Sequence, residues 1–228
     1  MKTNLVISLP PANLRIGLIE ARDIAVKPSS PEYRDRINSD TKKFITPDSI
    51  YPDHMQKGVR SLLRTFGFQP SGRSRPASEF LFKDLQNRGQ FNFINNVVDI
   101  NNHLSLVSHL PISSFDLDKS GYDLCLRVGF DDESYVFNRE GQTLSLKKLL
   151  VVARHGDDNA AIGSPVKDSQ STKIFEESTN IAVIIYSPGN ITPEDDLQSL
   201  LDRYMLLLKK ETGAKEIESA ILPFSTVS

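Results

Sequence analysis

From Ile181 to Tyr186 the chain reads Ile-Ala-Val-Ile-Ile-Tyr, an unbroken apolar run rich in β-branched side chains. Such a run has no face to give to water, so it predicts a central strand covered on both sides, ended by Ser187-Pro188-Gly189. Whatever surrounds it must supply apolar faces. Leu197, Leu200, Leu201, Tyr204, Leu207 and Leu208 form one such face on a helix. Thr192 as cap, Pro193 in the first turn and the acids Glu194 to Asp196 predict its start, and Gly213 its stop. Ile217 to Leu222 reads as a last strand.

A second helix is predicted around Asn95-Asn96-Val97-Val98-Asp99-Ile100-Asn101-Asn102-His103. Val97, Ile100, Leu104 and Val107 lie three and four apart and make its buried stripe. The opposite face is rich in amides, which compete for backbone groups in a helix interior. Two readings account for them: Asx-type caps at a helix start, or a polar shelf that hydrogen-bonds a ligand with both donors and acceptors.

The remaining segments read in order. Leu5 to Leu9 and Leu14 to Glu20, separated by Pro10-Pro11, predict a hairpin-like entry into a sheet. Lys27 to Pro52 is polar and predicts a surface excursion with a short helix started by Ser30-Pro31-Glu32. Val59, Leu62, Leu63 and Phe66 have helical spacing, with Gly67 as the stop. Arg73 and Arg75 precede a helix running to about Asn87, with Gly89 after it. Cationic forks beside free helical N–H groups make these two arginines candidates for a phosphate or RNA contact, against the alternative of a solvated loop. Tyr122, Leu124, Leu126 and Val128 alternate with polar positions as in a strand, and Arg127 on the other face should pair with a carboxylate or line a cleft. Glu133 to Phe137 reads as its hairpin partner, followed by a further run from Leu144 to Ala153. The small residues Ala160, Ala161, Gly163 and Ser164 would let a ligand approach the backbone closely.

Composition bounds the partners. Apolar residues at 39% and charged residues at 25% are ordinary for a soluble globular chain, and a net charge of -2 gives no global pull toward nucleic acid, so any RNA contact must be a local patch and DNA is not expected. The single Cys125, in a strand-like run, predicts a core role in a reducing compartment. No apolar run reaches membrane-spanning length, so a cytoplasmic protein without a membrane partner is expected. His155 with Asp157 and Asp158 has no spaced second ligand pair, so neither metal nor cofactor is expected. No repeat or linker divides residues 1–228, which predicts one compact unit.

The order Asn96-Val97-Val98-Asp99-Ile100-Asn101-Asn102-His103, Leu110-Pro111, Phe115-Asp116, Leu126-Arg127-Val128 resembles the tRNA-associated editing module of the bacterial phenylalanyl-tRNA synthetase beta subunit, its B-three/B-four domain pair. The family pattern is roughly NNVVDxTNYxxxxxxQPxHxFD. The core of the resemblance runs over about 70–190, with 191–228 adding the C-terminal helix and strand. It implies an α+β fold in a three-layer β/β/α arrangement. It also implies hydrolysis of tyrosine wrongly attached to the tRNA for phenylalanine, a discrimination that rests on one hydroxyl.

Residue by residue, the family's threonine-asparagine pair falls on Asn101 and Asn102, a departure and a match. The histidine of QPxHxFD falls on Ser113. The tyrosine-sensing glutamate should lie between Ala182 and Ile184, where there is no acid, and Gly163 corresponds to the small-residue loop of the pocket. The expected pocket is therefore Asn101, Asn102, Ser113, Gly163 and Ser164, with Asn102 and Ser113 as catalytic candidates. Three functions stay open. One is a module that binds a tRNA acceptor end or aminoacyl group, acting as an aminoacyl-tRNA deacylase in trans if it is an enzyme, never as a complete ligase. The others are a non-catalytic binder of an amino-acid-like small molecule and a partner-binding scaffold with a vestigial pocket.

Overall fold

The computed structural model describes residues 1–10, 12–46, 48–156 and 158–222, without the side chain of Arg73. In chain order the elements are β1 (Asn4–Ser8), β2 (Leu14–Arg22), α1 (Pro31–Thr41), α2 (Asp53–Thr65), α3 (Ala77–Arg88), α4 (Asn96–Ser108), β3 (Ile112–Asp116), α5 (Leu117–Ser120), β4 (Asp123–Val128), β5 (Ser134–Val136), β6 (Thr143–Ser145), β7 (Leu150–Arg154), β8 (Ala161–Gly163), β9 (Asn180–Pro188), α6 (Glu194–Thr212) and β10 (Glu216–Leu222).

The apolar run falls in β9, which lies inside an antiparallel sheet of order β10-β2-β9-β3. Because strand side chains alternate, its residues divide between two cores. Ile181, Val183 and Ile185 belong to a core with α1, α3, α4 and α6. Ala182, Ile184 and Tyr186 belong to a second core shared with the mixed sheet β1-β4-β7-β8. The result is sheet on sheet on helices, the expected α+β β/β/α order. Gly17 of β2 makes room for α6: a Cβ there would sit 3.0 Å from Leu201 and 3.3 Å from Leu197.

Two pairings differ from the sequence reading. β1 and β2 form no hairpin: β1 runs parallel to β4 in one sheet while β2 pairs with β9 and β10 in the other. The backbone N–H groups of Lys2 and Thr3 donate to the buried Glu20 carboxylate, so the two strands are held by a side chain instead of a ladder. Nor is 133–137 the partner of β4, which pairs with β1 and β7. β5 makes its own two-stranded ribbon with β6. Glu133 instead takes Arg127 in a two-pronged ion pair at 2.8 and 2.7 Å, so the arginine opposite the apolar face of β4 does find a carboxylate.

The helix boundaries follow local chemistry. Ser30 caps α1 by accepting from Tyr33 N–H, and Gly89 and Gly213 end α3 and α6 with positive φ. At the start of α6, Pro193 and not Thr192 occupies the cap position, and no side chain caps the helix. Proline has no N–H and is held at a helix-compatible φ, so it takes this place at little cost. Cys125 is buried, and burial pushes its thiol pKa up. Among the described residues no helix is long and apolar enough to cross a membrane, and no group of three His, Cys, Asp or Glu side chains could hold a metal. Asp157, named with His155 above, lies outside the described residues.

Candidate ligand-binding cleft

Most of the amide-rich face of α4 is spent on the fold. Asn95 caps the helix through Val98 N–H. Asn96 accepts from Lys27 N–H and donates to the carbonyls of Ala25 and Glu211. Asp99 accepts from Ser29 and from Ile94 N–H, and burial raises its pKa. Asn101 donates to the Ile112 carbonyl at 3.3 Å and accepts from the Tyr204 hydroxyl at 3.3 Å. His103 is fully buried between Tyr33 and Asp40. Asn102 is different. It is part-exposed, and the one side-chain hydrogen bond it makes among the described residues is accepted from Asn101 Nδ2 at 3.5 Å.

Asn102 and Asn101 open onto a cleft of about 1030 Å³ between α4 and the segment 168–177. Ser114 of β3 and Asp168, joined by a hydrogen bond, form its floor, and Gln170, Lys173, Arg88 and Arg139 also line it, together with the acids Glu140, Glu176 and Glu177. Ser113 points the other way, as alternation along β3 requires, and its hydroxyl lies 3.2 Å from the Ser164 carbonyl and 3.1 Å from the Tyr186 hydroxyl. Gly163 and Ser164 are buried behind the floor. The structure thus brings Asn101 and Asn102 to the cleft wall, and places Ser113, Gly163 and Ser164 in the layer that supports its floor. Arg75 is elsewhere, its Nε donating to the Gly72 carbonyl, and the N–H of Ala77 at the start of α3 is taken by the Pro165 carbonyl. The side chain of Arg73 lies outside the described residues.

Asp168 is the group that sequence reasoning passed over. The turn before it is built by Ser164, whose hydroxyl accepts from the N–H groups of Val166 and Lys167 and donates to the Lys167 carbonyl. This turn returns the chain over β8 and seats the carboxyl where Oδ2 accepts from Ser114 N–H and Oδ1 from Ser164 N–H, each at 3.3 Å. Burial pushes its pKa up to about 7, although Ser113, the two N–H groups and the charge of Lys173 all pull it down. Desolvation also lowers the pKa of Lys173, whose ammonium donates to the Phe137 carbonyl. Gln170 Oε1, also in the cleft wall, is buried without a partner among the described residues. A carboxylate that titrates near neutrality can take a proton from water, while amide N–H groups and an ammonium beside it can steady a developing negative charge.

Gly163 is small because the floor requires it. A Cβ there would stand 2.3 Å from Phe115 and 2.6 Å from Asp168 Oδ1. The close approach expected for a ligand at this position is made by the protein's own carboxylate. Gly163→Ala should therefore destabilise the fold by about 1–3 kcal/mol, since the fully buried Phe115 ring must move. Urea unfolding checks this, and an unchanged midpoint would contradict it.

The chain matches the B3/4 domain family over residues 69–193, more than half of its 228 residues. It is 25% identical over 129 residues to the phenylalanine--tRNA ligase beta subunit of Listeria innocua, a match that covers 56% of this chain and 16% of that protein. An N-terminal fragment of the phenylalanyl-tRNA synthetase beta subunit from Pyrococcus horikoshii, solved by crystallography, aligns with 97% of this chain and 55% of the fragment, with a TM-score of 0.48 and 8% identity. The chain thus spans a small part of the curated relative and about half of the structural neighbour. On the extent of the family match, the chain belongs to the B3/4 domain family and is a phenylalanyl-tRNA synthetase beta-like module.

Proposed function

We propose that the cleft binds the aminoacyl end of a tRNA and hydrolyses a wrongly attached amino acid in trans, with no aminoacylation of its own. The observation that carries this reading is Asp168, a carboxyl with a pKa of about 7 on the floor of a cleft of about 1030 Å³. That volume is at the top of the roughly 300–1,000 Å³ range of ligand sites, and it suits a nucleoside with its amino acid better than a free amino acid.

In the reaction, ionised Asp168 takes a proton from water, and the water oxygen attacks the ester carbonyl carbon. The Asn102 amide and the Lys173 ammonium face the oxyanion that forms. Collapse breaks the ester bond, the terminal ribose oxygen recovers the proton, and a free amino acid leaves. Arg139, and Arg88 beyond its pair with Asp84, are the cations of the lining for the terminal phosphates, set against Glu140, Glu176 and Glu177 of the same cleft.

The test is a panel of charged and mischarged tRNAs followed for ester loss with the intact chain. Loss is expected for at least one mischarged tRNA, and Asn102→Ala should slow it by about 10–100-fold through a lost oxyanion contact. Absence of loss across the panel removes the hydrolase reading. Retained tRNA binding would then leave a non-catalytic module, and retention of a free amino acid alone would leave the small-molecule binder.

A further inference from the structure

On another side of the helical layer lies a second cavity, of about 960 Å³, which shares no lining residue with the cleft. It is built from α1, the turn after it, α2, the C-terminal end of α4, and α6. Three permanent cations from three of these places converge on it: Arg36 of α1, Lys43 of the turn and Arg203 of α6, with His54 of α2 also in its wall. Two carboxylates face them, Asp40 and Asp196. In a chain of net charge -2, this is a local excess of positive charge.

The arrangement gathers like charges. A single oxygen of Asp40 has Arg203 Nη2 at 3.0 Å, Arg36 Nε at 3.9 Å and His103 Nε2 at 3.0 Å. One carboxylate thus hydrogen-bonds the Arg203 guanidinium and has that of Arg36 at ion-pair distance, leaving most of their donors unspent. Thr192 Oγ1 and Arg203 Nε, both in side chains of the wall, are buried and have no hydrogen-bond partner among the described residues. Thr192 is itself only 8% exposed. Two adjacent guanidinium forks, an ammonium and unspent donors in one concavity cost repulsion that a multiply charged anion relieves.

We propose that this cavity is a site for a phosphate-bearing ligand, held by Arg36 and Arg203 as forks and by Lys43 as a point charge. The phosphate has two chemical sources, a free phosphorylated small molecule or the backbone of RNA. The proposal does not depend on catalysis at the cleft.

Isothermal titration with inorganic pyrophosphate at low ionic strength tests the first source, and titration with a single-stranded RNA oligonucleotide tests the second. The double variant Arg36→Gln/Lys43→Ala changes two exposed side chains and leaves the Arg203–Asp40 pair in place. It should weaken one of the two probes by about tenfold or more. A control variant, Lys147→Ala/Lys215→Ala, removes the same charge from two exposed sites and should leave binding within about twofold. Loss of the pyrophosphate signal identifies a small phosphorylated ligand, and loss of the RNA signal identifies the backbone. Absence of binding by both probes, binding unaffected by the double variant, or an equal loss in the control would each overturn the proposal.

Discussion

Asp168→Asn should cut ester hydrolysis by about 10²–10⁴-fold while leaving tRNA binding within a few fold, because an amide fills the same space but takes no proton from water. The rate of the unchanged chain should rise with pH through about 7, where the carboxyl ionises, and the residual rate of the variant should lack that inflection. The same substitution has a signature in stability that needs no substrate. The folded-state pKa of Asp168 lies well above the roughly 3.9 of an unfolded aspartate. Its contribution to stability is therefore complete below about pH 4 and is lost as pH rises toward 7, where the native state still holds a proton that the unfolded chain has released. Urea midpoints of the two proteins should diverge over that window, the variant gaining on the order of 2–4 kcal/mol relative to the original between pH 4 and 7.5. His103 and His109, both lowered to about 4 mainly by burial, titrate in the same range but are common to both proteins and cancel in the difference. A flat difference would remove Asp168 as the neutral-range acid. Full hydrolytic activity in the variant would remove it as the base.

Asp168 also marks where sequence reading stops. β9 was legible because a continuous apolar run leaves a chain few alternatives, and the stripes on α4 and α6 were legible because helical spacing is local. The amides of α4 stood out because a helix interior needs a reason for them, but Asn101 and Asn102 were separated from the rest only by the family's threonine-asparagine motif; both line the cleft. Strand partners were less legible. The run at 5–9 reads like a hairpin with 14–20 because the two are adjacent, yet β1 joins β4 more than a hundred residues away, a choice made by sheet stacking. Ser113 was brought forward by motif position, but alternation along β3 sends its neighbour Ser114 into the cleft. Asp168 itself follows Gly163, Ser164 and a proline in what reads as a turn, where an acid is unremarkable. The seat of that carboxyl depends on the absence of a Cβ at Gly163, which would stand 2.3 Å from Phe115 and 2.6 Å from Asp168 Oδ1, a packing relation that local sequence does not announce.

The largest stability loss on the amide face should come from Asn96, not from the residues that line the cleft. Its side chain is fully buried, yet it holds three segments together. It accepts from Lys27 N–H at 3.1 Å, and donates to the carbonyls of Ala25 and Glu211 at 2.9 Å each. It thereby ties the chain leaving β2, the start of α4 and the end of α6. Asn96→Ala removes the partner of two N–H groups, Lys27 and Val97, and of two carbonyls, Ala25 and Glu211; the bonds to Val97 and Glu211 are buried and the other two part-buried, and each buried group left unpaired costs about 1–3 kcal/mol. A total near 3–5 kcal/mol is expected, a third or more of the stability of an ordinary domain. Asparagine is needed here because it presents an acceptor and two donors on one short, planar group. Asn96→Asp should therefore be no milder than the alanine, since it keeps the acceptor but turns carboxylate oxygen toward two carbonyls. Asn102→Ala, by contrast, removes a part-exposed amide with one long contact and should cost under 1 kcal/mol. Urea titration of the three variants decides between the two roles of the amide stripe. If Asn96→Ala lost no more than Asn102→Ala, the buried amide would not be the clamp its hydrogen bonds describe.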